Sequence, residues 1–61
     1  MTKFTGRNGY FNASGLCVEN WKHANSICIA PITGKGEVGN CDIQIPKADI
    51  PAVIDALQKY L

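Results

Sequence analysis

The fold is decided by residues 16–32, which read LCVENWKHANSICIAPI. Within this stretch, residues 16–21 and 26–32 alternate large apolar side chains with small or polar ones. An alternation with a period of two is typical of a strand that buries one face. The polar residues 22–25 fit a short hairpin connection, and Pro31, which has no amide hydrogen, indicates an edge or a bulge. The stretch therefore predicts an antiparallel pair of strands.

Further elements lie on both sides of this pair. Tyr10 and Phe11 could open a first short strand, and residues 38–45 alternate again after a glycine-rich loop. From residue 47 to 61 the apolar period becomes helical. The helical face consists of Ile50, Val53, Ile54, Leu57 and Leu61. The predicted fold class is α+β: a small antiparallel sheet of three to four strands with one C-terminal helix packed on one face.

The length of the chain bounds how such a fold is stabilised. The 61 residues make a single domain, in which we expect residues 1–9 to be a loosely ordered arm because they contain little apolar material. A domain of this size buries only about 60% of the surface that its unfolded chain exposes. Small domains compensate with disulfides, a metal or self-association.

The cysteines argue against the first two of these supplements. Cys17, Cys28 and Cys41 are odd in number, and the sequence has neither a secretory signal nor an apolar stretch long enough to span a bilayer. Structural zinc usually needs closely spaced cysteine pairs, whereas these cysteines are eleven and thirteen residues apart. We therefore expect reduced, buried thiols in a cytoplasmic protein, or in the host cytoplasm if the protein is viral, with no metal and no cofactor.

Self-association is the remaining supplement, and the strand pattern supplies a surface for it. Cys17, Cys28 and Ala30, with one of Tyr10 or Phe11, are expected on the side of the sheet opposite the isoleucines. Because one helix covers only one face, a monomer would expose this patch of small apolar groups to water. We expect a homo-oligomer in which a second subunit covers the patch.

The formal charges are distributed unevenly along the chain. The net charge is +1, but four of the six cationic side chains and only one of the five anionic ones precede residue 37, which gives that part +3. This part is therefore the one expected to face an anion. A few solvated lysines on a sheet edge would produce the same asymmetry.

A glycine-rich segment is the first candidate for binding chemistry. It consists of Thr33, Gly34, Lys35 and Gly36. The glycines let backbone amides approach an anion, while the hydroxyl and ammonium groups supply charge-assisted contacts. The segment departs from the Walker A pattern, and a hairpin tip has the same composition.

A second candidate is the consecutive trio Trp21, Lys22 and His23. An aromatic face, a cation and an imidazole within three residues suit the stacking of a nucleobase and the binding of a phosphate. The alternative is that the only tryptophan of a small domain is a core residue. Nucleophilic catalysis needs an activated nucleophile with an oriented base, and the lone His23 does not supply that set, so we do not expect an enzyme.

Part of the chain resembles a known class of proteins. Residues 29–36 (IAPITGKG), 39–43 (GNCDI) and 45–46 (IP), within the similar segment 26–61, resemble small phage proteins that sequester the nucleotide second messengers of bacterial immunity. The resemblance implies an oligomeric anti-defence sponge that binds a cyclic nucleotide or oligonucleotide without cleaving it, in pockets shared between subunits.

On this hypothesis the candidate residues take the roles that their chemistry suits. Thr33, Lys35 and the neighbouring amides would hold phosphate, and Trp21 would stack a base. One further side chain would complete the pocket, from the set Arg7, Lys22 and His23.

Two other functions remain open. Residues 36–45 followed by a leucine-containing helix look like the whirly-type domain, which binds single-stranded DNA as a dimer. Tracking a long phosphate backbone takes a strongly basic groove, and a net charge of +1 favours a ligand with few phosphates. The third function is that of a protein inhibitor, which would block a host enzyme through an exposed sheet edge or helix.

Overall fold

A computed structural model of the protein describes residues 1–6, 9–10 and 12–61. The sheet contains four strands, paired antiparallel in the order β1-β2-β3-β4. The strands are β1 (Thr2–Phe4), β2 (Gly15–Trp21), β3 (Ser26–Ile32) and β4 (Ile43–Pro46). Helix α1 (Ile50–Gln58) follows, and single 3₁₀ turns occupy Lys22–Ala24 and Lys47–Asp49. The predicted α+β class, with its four-stranded antiparallel sheet and C-terminal helix, is confirmed.

Strands β2 and β3 form the centre of the sheet. They pair along their whole length, from Gly15 opposite Ile32 to Trp21 opposite Ser26. The connection is a 3₁₀ turn that ends at Asn25, which adopts the left-handed conformation (φ 49°, ψ 44°) that asparagine tolerates better than most residues. The bounds of β3 agree with the predicted strand, and β2 begins one residue earlier than predicted.

The first strand lies elsewhere than predicted. Strand β1 falls within the segment expected to be a loose arm, and it pairs with β2 so that Phe4 lies opposite Leu16. Tyr10, which was expected to open the first strand, lies outside the strands, and Phe11 lies outside the described residues. A three-residue edge strand with a single apolar residue has too weak a pattern to be recognised from sequence.

Strand β4 is shorter than predicted because its first half bulges away from β3. Val38 forms only an isolated bridge with Ile32, and regular pairing begins again at Ile43. Between these points the Gly39 amide donates to the Pro31 carbonyl at 2.8 Å. The nitrogen of Pro31 has no hydrogen to donate in return, so the ladder is weakened where the bulge occurs.

The bulge brings together two of the three cysteines. Cys28 and Cys41 form a disulfide, with their Cα atoms 5.7 Å apart, and Cys17 is a buried free thiol. The expectation of three reduced thiols is therefore wrong for this pair. An odd number of cysteines still allows one bonded pair, and the hairpin brings Cys28 and Cys41 side by side. A cytoplasmic location remains a prediction, and the argument from reduced thiols no longer supports it.

One face of the sheet is buried at its centre, while Lys3, Trp21, Gln44 and Pro46 at its margins are exposed. Strand β3 alternates strictly between buried and half-buried residues, and its buried positions continue across to β2. This buried face consists of Gly15, Cys17, Ser26, Cys28, Ala30 and Ile32. The main chain of Phe4 and Thr5 occupies the space that a side chain at Gly15 would need. The absence of a side chain at Gly15 therefore lets the main chain at the end of β1 come close to β2.

The opposite face, which we call the isoleucine face, is apolar but is not buried. It consists of Phe4, Leu16, Val18, Ile27, Ile29, Pro31, Ile43 and Ile45, together with Thr2 and Asn20. Cys17, Cys28 and Ala30 do lie opposite the isoleucines, as predicted, but it is the isoleucine face that water reaches. The expectation of an exposed patch of small residues is therefore wrong. Small side chains are covered by a short length of chain, whereas a row of isoleucines needs a second layer of structure to cover it.

Helix α1 buries none of its residues. Ile50 and Val53 in its first half are half-buried, while Ile54 and Leu57 are 50% and 66% exposed. Contact with the rest of the chain is therefore concentrated at the start of the predicted apolar face. The radius of gyration of 12.2 Å exceeds the value of about 10.5 Å that a compact domain of this length would have. Within the described residues, no helix is both long enough and apolar enough to cross a membrane.

Candidate functional site

An open groove lies where β2 runs into the 3₁₀ turn. Its volume is about 480 Å³, within the range of small-molecule sites. Five consecutive residues line it: Glu19, Asn20, Trp21, Lys22 and His23. The strand presents alternate side chains to opposite faces, and the turn then directs two further side chains toward the same opening. A continuous segment thus forms a site without help from distant parts of the chain.

Trp21 is the aromatic surface of this groove. Trp21 is 38% exposed, so the alternative that the only tryptophan is a core residue is wrong. Because Trp21 and Glu19 are two residues apart on one strand, both lie on the side of the sheet that carries the buried face. The indole and the carboxylate are therefore placed to meet the same ligand.

The polar groups of the groove offer both charges. Lys22 and His23 are exposed and supply nitrogen donors for an anion, whereas Glu19 is half-buried and accepts hydrogen bonds. A ligand that carries a phosphate and a hydrogen-bond-donating base edge would match this arrangement. Sequence reasoning identified Trp21, Lys22 and His23 but missed Glu19, although the period of two along β2 carried that information.

The glycine-rich segment forms the tip of the hairpin that joins β3 to β4. The Gly36 amide donates to the Thr33 carbonyl at 2.9 Å, and the Glu37 amide donates to Thr33 Oγ1 at 3.2 Å. Gly36 has φ +83°, a conformation that favours glycine. The Thr33 hydroxyl and these amides are thus used to close the turn, as in the hairpin-tip alternative, while Gly34 and Lys35 are exposed.

The two candidate segments lie at opposite ends of β3. Trp21 pairs with Ser26 at one end, and Thr33 follows Ile32 at the other. Six steps along a strand separate these ends by about 20 Å. A single chain therefore does not bring Trp21 and Lys35 onto one small ligand. Arg7, which was expected to complete the pocket, lies outside the described residues.

A metal site is not formed by the residues that the structure describes. Among them, no group of three or more His, Cys, Asp or Glu side chains is arranged to hold an ion. His23 and Glu19 of the groove are accompanied there by Lys22, a cation rather than a further ligand.

Known proteins offer no guide to this site. Comparison with protein-family models, with curated proteins and with solved structures finds no match. The case for a function therefore depends on the groove itself.

Proposed function

We propose that this protein binds and sequesters a cyclic nucleotide or oligonucleotide immune signal without cleaving it, as the phage anti-defence proteins that it resembles do. The observation that carries the proposal is the groove in which an exposed Trp21 stands beside Lys22 and His23. An exposed aromatic surface beside nitrogen donors suits nucleotide binding, because the ring can stack on a base while the donors contact a phosphate.

In this proposal Trp21 stacks on the base. Stacking of a nucleobase on an aromatic side chain contributes roughly 1 to 3 kcal/mol. Glu19, on the same side of β2, accepts hydrogen bonds from the donor groups on a base edge. Guanine and cytosine present such donors where a carboxylate can meet them, so we expect a preference for these bases over uracil.

In this proposal Lys22 and His23 bind the phosphate. Both are exposed and line the groove together with Trp21, so we expect their nitrogens to contact the phosphate of a stacked nucleotide. The carboxylate of Glu19 limits the anionic charge that the groove tolerates. A small ligand with few phosphates therefore suits the groove better than a long nucleic acid, which favours the sponge over the whirly-type alternative.

The same groove supports binding without cleavage. It is open to water, and its lining contains no serine, threonine or cysteine beside its one histidine. Hydrolysis of a phosphodiester would need a positioned nucleophile and stabilisation of the developing charge in a shielded site. Affinity alone is sufficient for sequestration.

The experiment is a binding assay with a panel of cyclic di- and trinucleotides, measured by calorimetry. We expect at least one member to bind and to be recovered intact after the protein is denatured. Trp21→Ala should weaken that binding by about ten-fold or more, given the energy of stacking. Tyr60→Ala is the matched control, since Tyr60 is an aromatic residue that is 89% exposed and lies outside the groove.

Three results would count against the proposal. The first is an absence of binding across the panel, and the second is an unchanged affinity in Trp21→Ala. The third is salt-sensitive binding that strengthens with oligonucleotide length, which would favour the single-stranded DNA alternative.

A further inference from the structure

The isoleucine face is continuous across all four strands. Its side chains form three rows that follow the strand register. The central row runs Thr2, Val18, Ile29 and Ile43, and the outer rows are Phe4, Leu16, Pro31 and Asn20, Ile27, Ile45. Cross-strand neighbours of this kind are in direct contact, so the rows make one apolar surface and not scattered groups. Monomeric proteins rarely leave such a surface to water.

The exposure of this surface shows that the chain itself leaves it open. In β3, Ala30 and Ile32 are 4% and 1% exposed, whereas Ile27 and Ile29 on the other face are only half-buried. Ile43 at the edge of the sheet is 56% exposed. A second layer from the same chain would have buried the central residues of both faces.

The total surface of the chain indicates how much is left uncovered. It is 4840 Å², whereas a compact monomer of 6.6 kDa exposes about 3,900 Å². The excess of about 900 Å² is close to the roughly 800 Å² that each partner contributes to a standard interface. One further layer on one face is what would bring the exposed surface to the usual value.

The composition of the face favours a second copy of this chain as that layer. None of its ten residues is charged, so the face can meet itself without opposing like charges. Depletion of charge at the centre with polar residues at the ends, here Thr2 and Asn20, is the composition of an interface. A symmetric dimer uses one such surface twice.

We infer that two copies of this chain associate through their isoleucine faces, sheet on sheet, as an isologous dimer. Packed sheets lie about 10 Å apart, with the inward side chains of both forming one core. Trp21 and Glu19 lie on the other side of the sheet, so in each copy they stay clear of the interface, whereas Asn20 lines the groove and also belongs to the isoleucine face. The inference is argued from the isoleucine face and does not depend on which ligand the groove binds.

The apolar stripe on α1 is the competing surface for self-association. Ile54 and Leu57 are exposed, and so is Leu61 just beyond the helix, but a single helix of nine residues presents only a narrow stripe. This stripe is much smaller than the four-stranded face. It supplies the control for the experiment.

The experiment compares Ile43→Lys with Ile54→Lys by native mass spectrometry and analytical ultracentrifugation. The two isoleucines are 56% and 50% exposed, so neither substitution disturbs the interior of a single chain. We expect the unaltered protein and Ile54→Lys to be dimers and Ile43→Lys to dissociate, with a dissociation constant raised about 30-fold or more. Ile43→Gln, which introduces no charge, should weaken the dimer in the same direction, and circular dichroism verifies that each variant is folded.

Other outcomes would overturn the inference. A monomeric unaltered protein at concentrations of hundreds of micromolar would do so, as would a dimer that Ile43→Lys leaves intact. Dissociation of the dimer by Ile54→Lys would assign the interface to α1. A monomer that captures a different protein through Ile43 would assign the isoleucine face to that partner instead.

Discussion

The two faces of the sheet are made by the same strands, yet one is sealed and the other is open. The buried face carries glycine, alanine, serine and cysteine beside a single isoleucine, whereas the isoleucine face carries the larger and more apolar side chains. Hydrophobicity alone would place the isoleucines inside. A short chain has little material for a second layer, and a face of small side chains needs less of it than a face of isoleucines. At Gly15, for example, the main chain of Phe4 and Thr5 comes close to the sheet.

The largest expected effect is a difference in stability between two variants, each of which truncates an isoleucine on one face. Ile32 is 1% exposed, so Ile32→Ala should lower the free energy of unfolding by about 3 kcal/mol, because it removes packed methyl groups and leaves a cavity. Ile43→Ala should cost less than about 1 kcal/mol, since that side chain is more than half exposed in a single chain. Urea unfolding measures both, at protein concentrations low enough to prevent self-association.

Equal losses in the two variants would break the comparison between the faces. They would mean that the isoleucine face is covered in the isolated chain. A larger loss for Ile43→Ala that appears only at high protein concentration would instead support the dimer, since association then stabilises the folded state.

A second prediction concerns the disulfide, which joins Cys28 of the buried face to Cys41 in the bulge beside it. Closing a loop of this size stabilises a protein by about 3 kcal/mol, which corresponds to a melting temperature about 10 to 20 °C higher in a small domain. We expect dithiothreitol to lower the melting temperature by that amount. Alkylation of Cys17, which is buried, should become faster at the same time.

Cys41→Ser is the matched control for reduction. The variant lacks the bond, so its melting temperature should equal that of the reduced protein and should not respond to dithiothreitol. A melting temperature of the unaltered protein that is insensitive to reduction would show that the bond contributes nothing to the buried face.

Much of the fold could be predicted from sequence because its signals are local. The alternation of residues 26–32 predicted β3 with its bounds, and the helical spacing from Ile50 onward predicted α1. The signals that failed depend on tertiary structure. Strand β1 exists because β2 offers it an edge, and the bond between Cys28 and Cys41 exists because a bulge turns one toward the other.

The candidate site, like the fold, could be predicted from sequence only where its signals are local. Trp21, Lys22 and His23 are consecutive, so sequence reasoning found them together and the structure keeps them in one groove. The length of β3 separates them from Lys35 within a single chain, and a pocket shared between subunits stays a prediction. Whether Trp21 was exposed could not be decided from the sequence, because burial depends on what the rest of the chain places over each face.

The smallest of the three effects concerns Gly15, at the end of the buried face. A Cβ there would overlap the main chain of Phe4, so Gly15→Ala should push β1 away from β2 and cost about 2 kcal/mol. Gly34→Ala is the control, since a Cβ at Gly34 meets open space at the exposed hairpin tip. Hydrogen exchange should show faster exchange of the β1 amides in Gly15→Ala alone. Unchanged exchange there would mean that close approach of the backbone is not what seals the buried face.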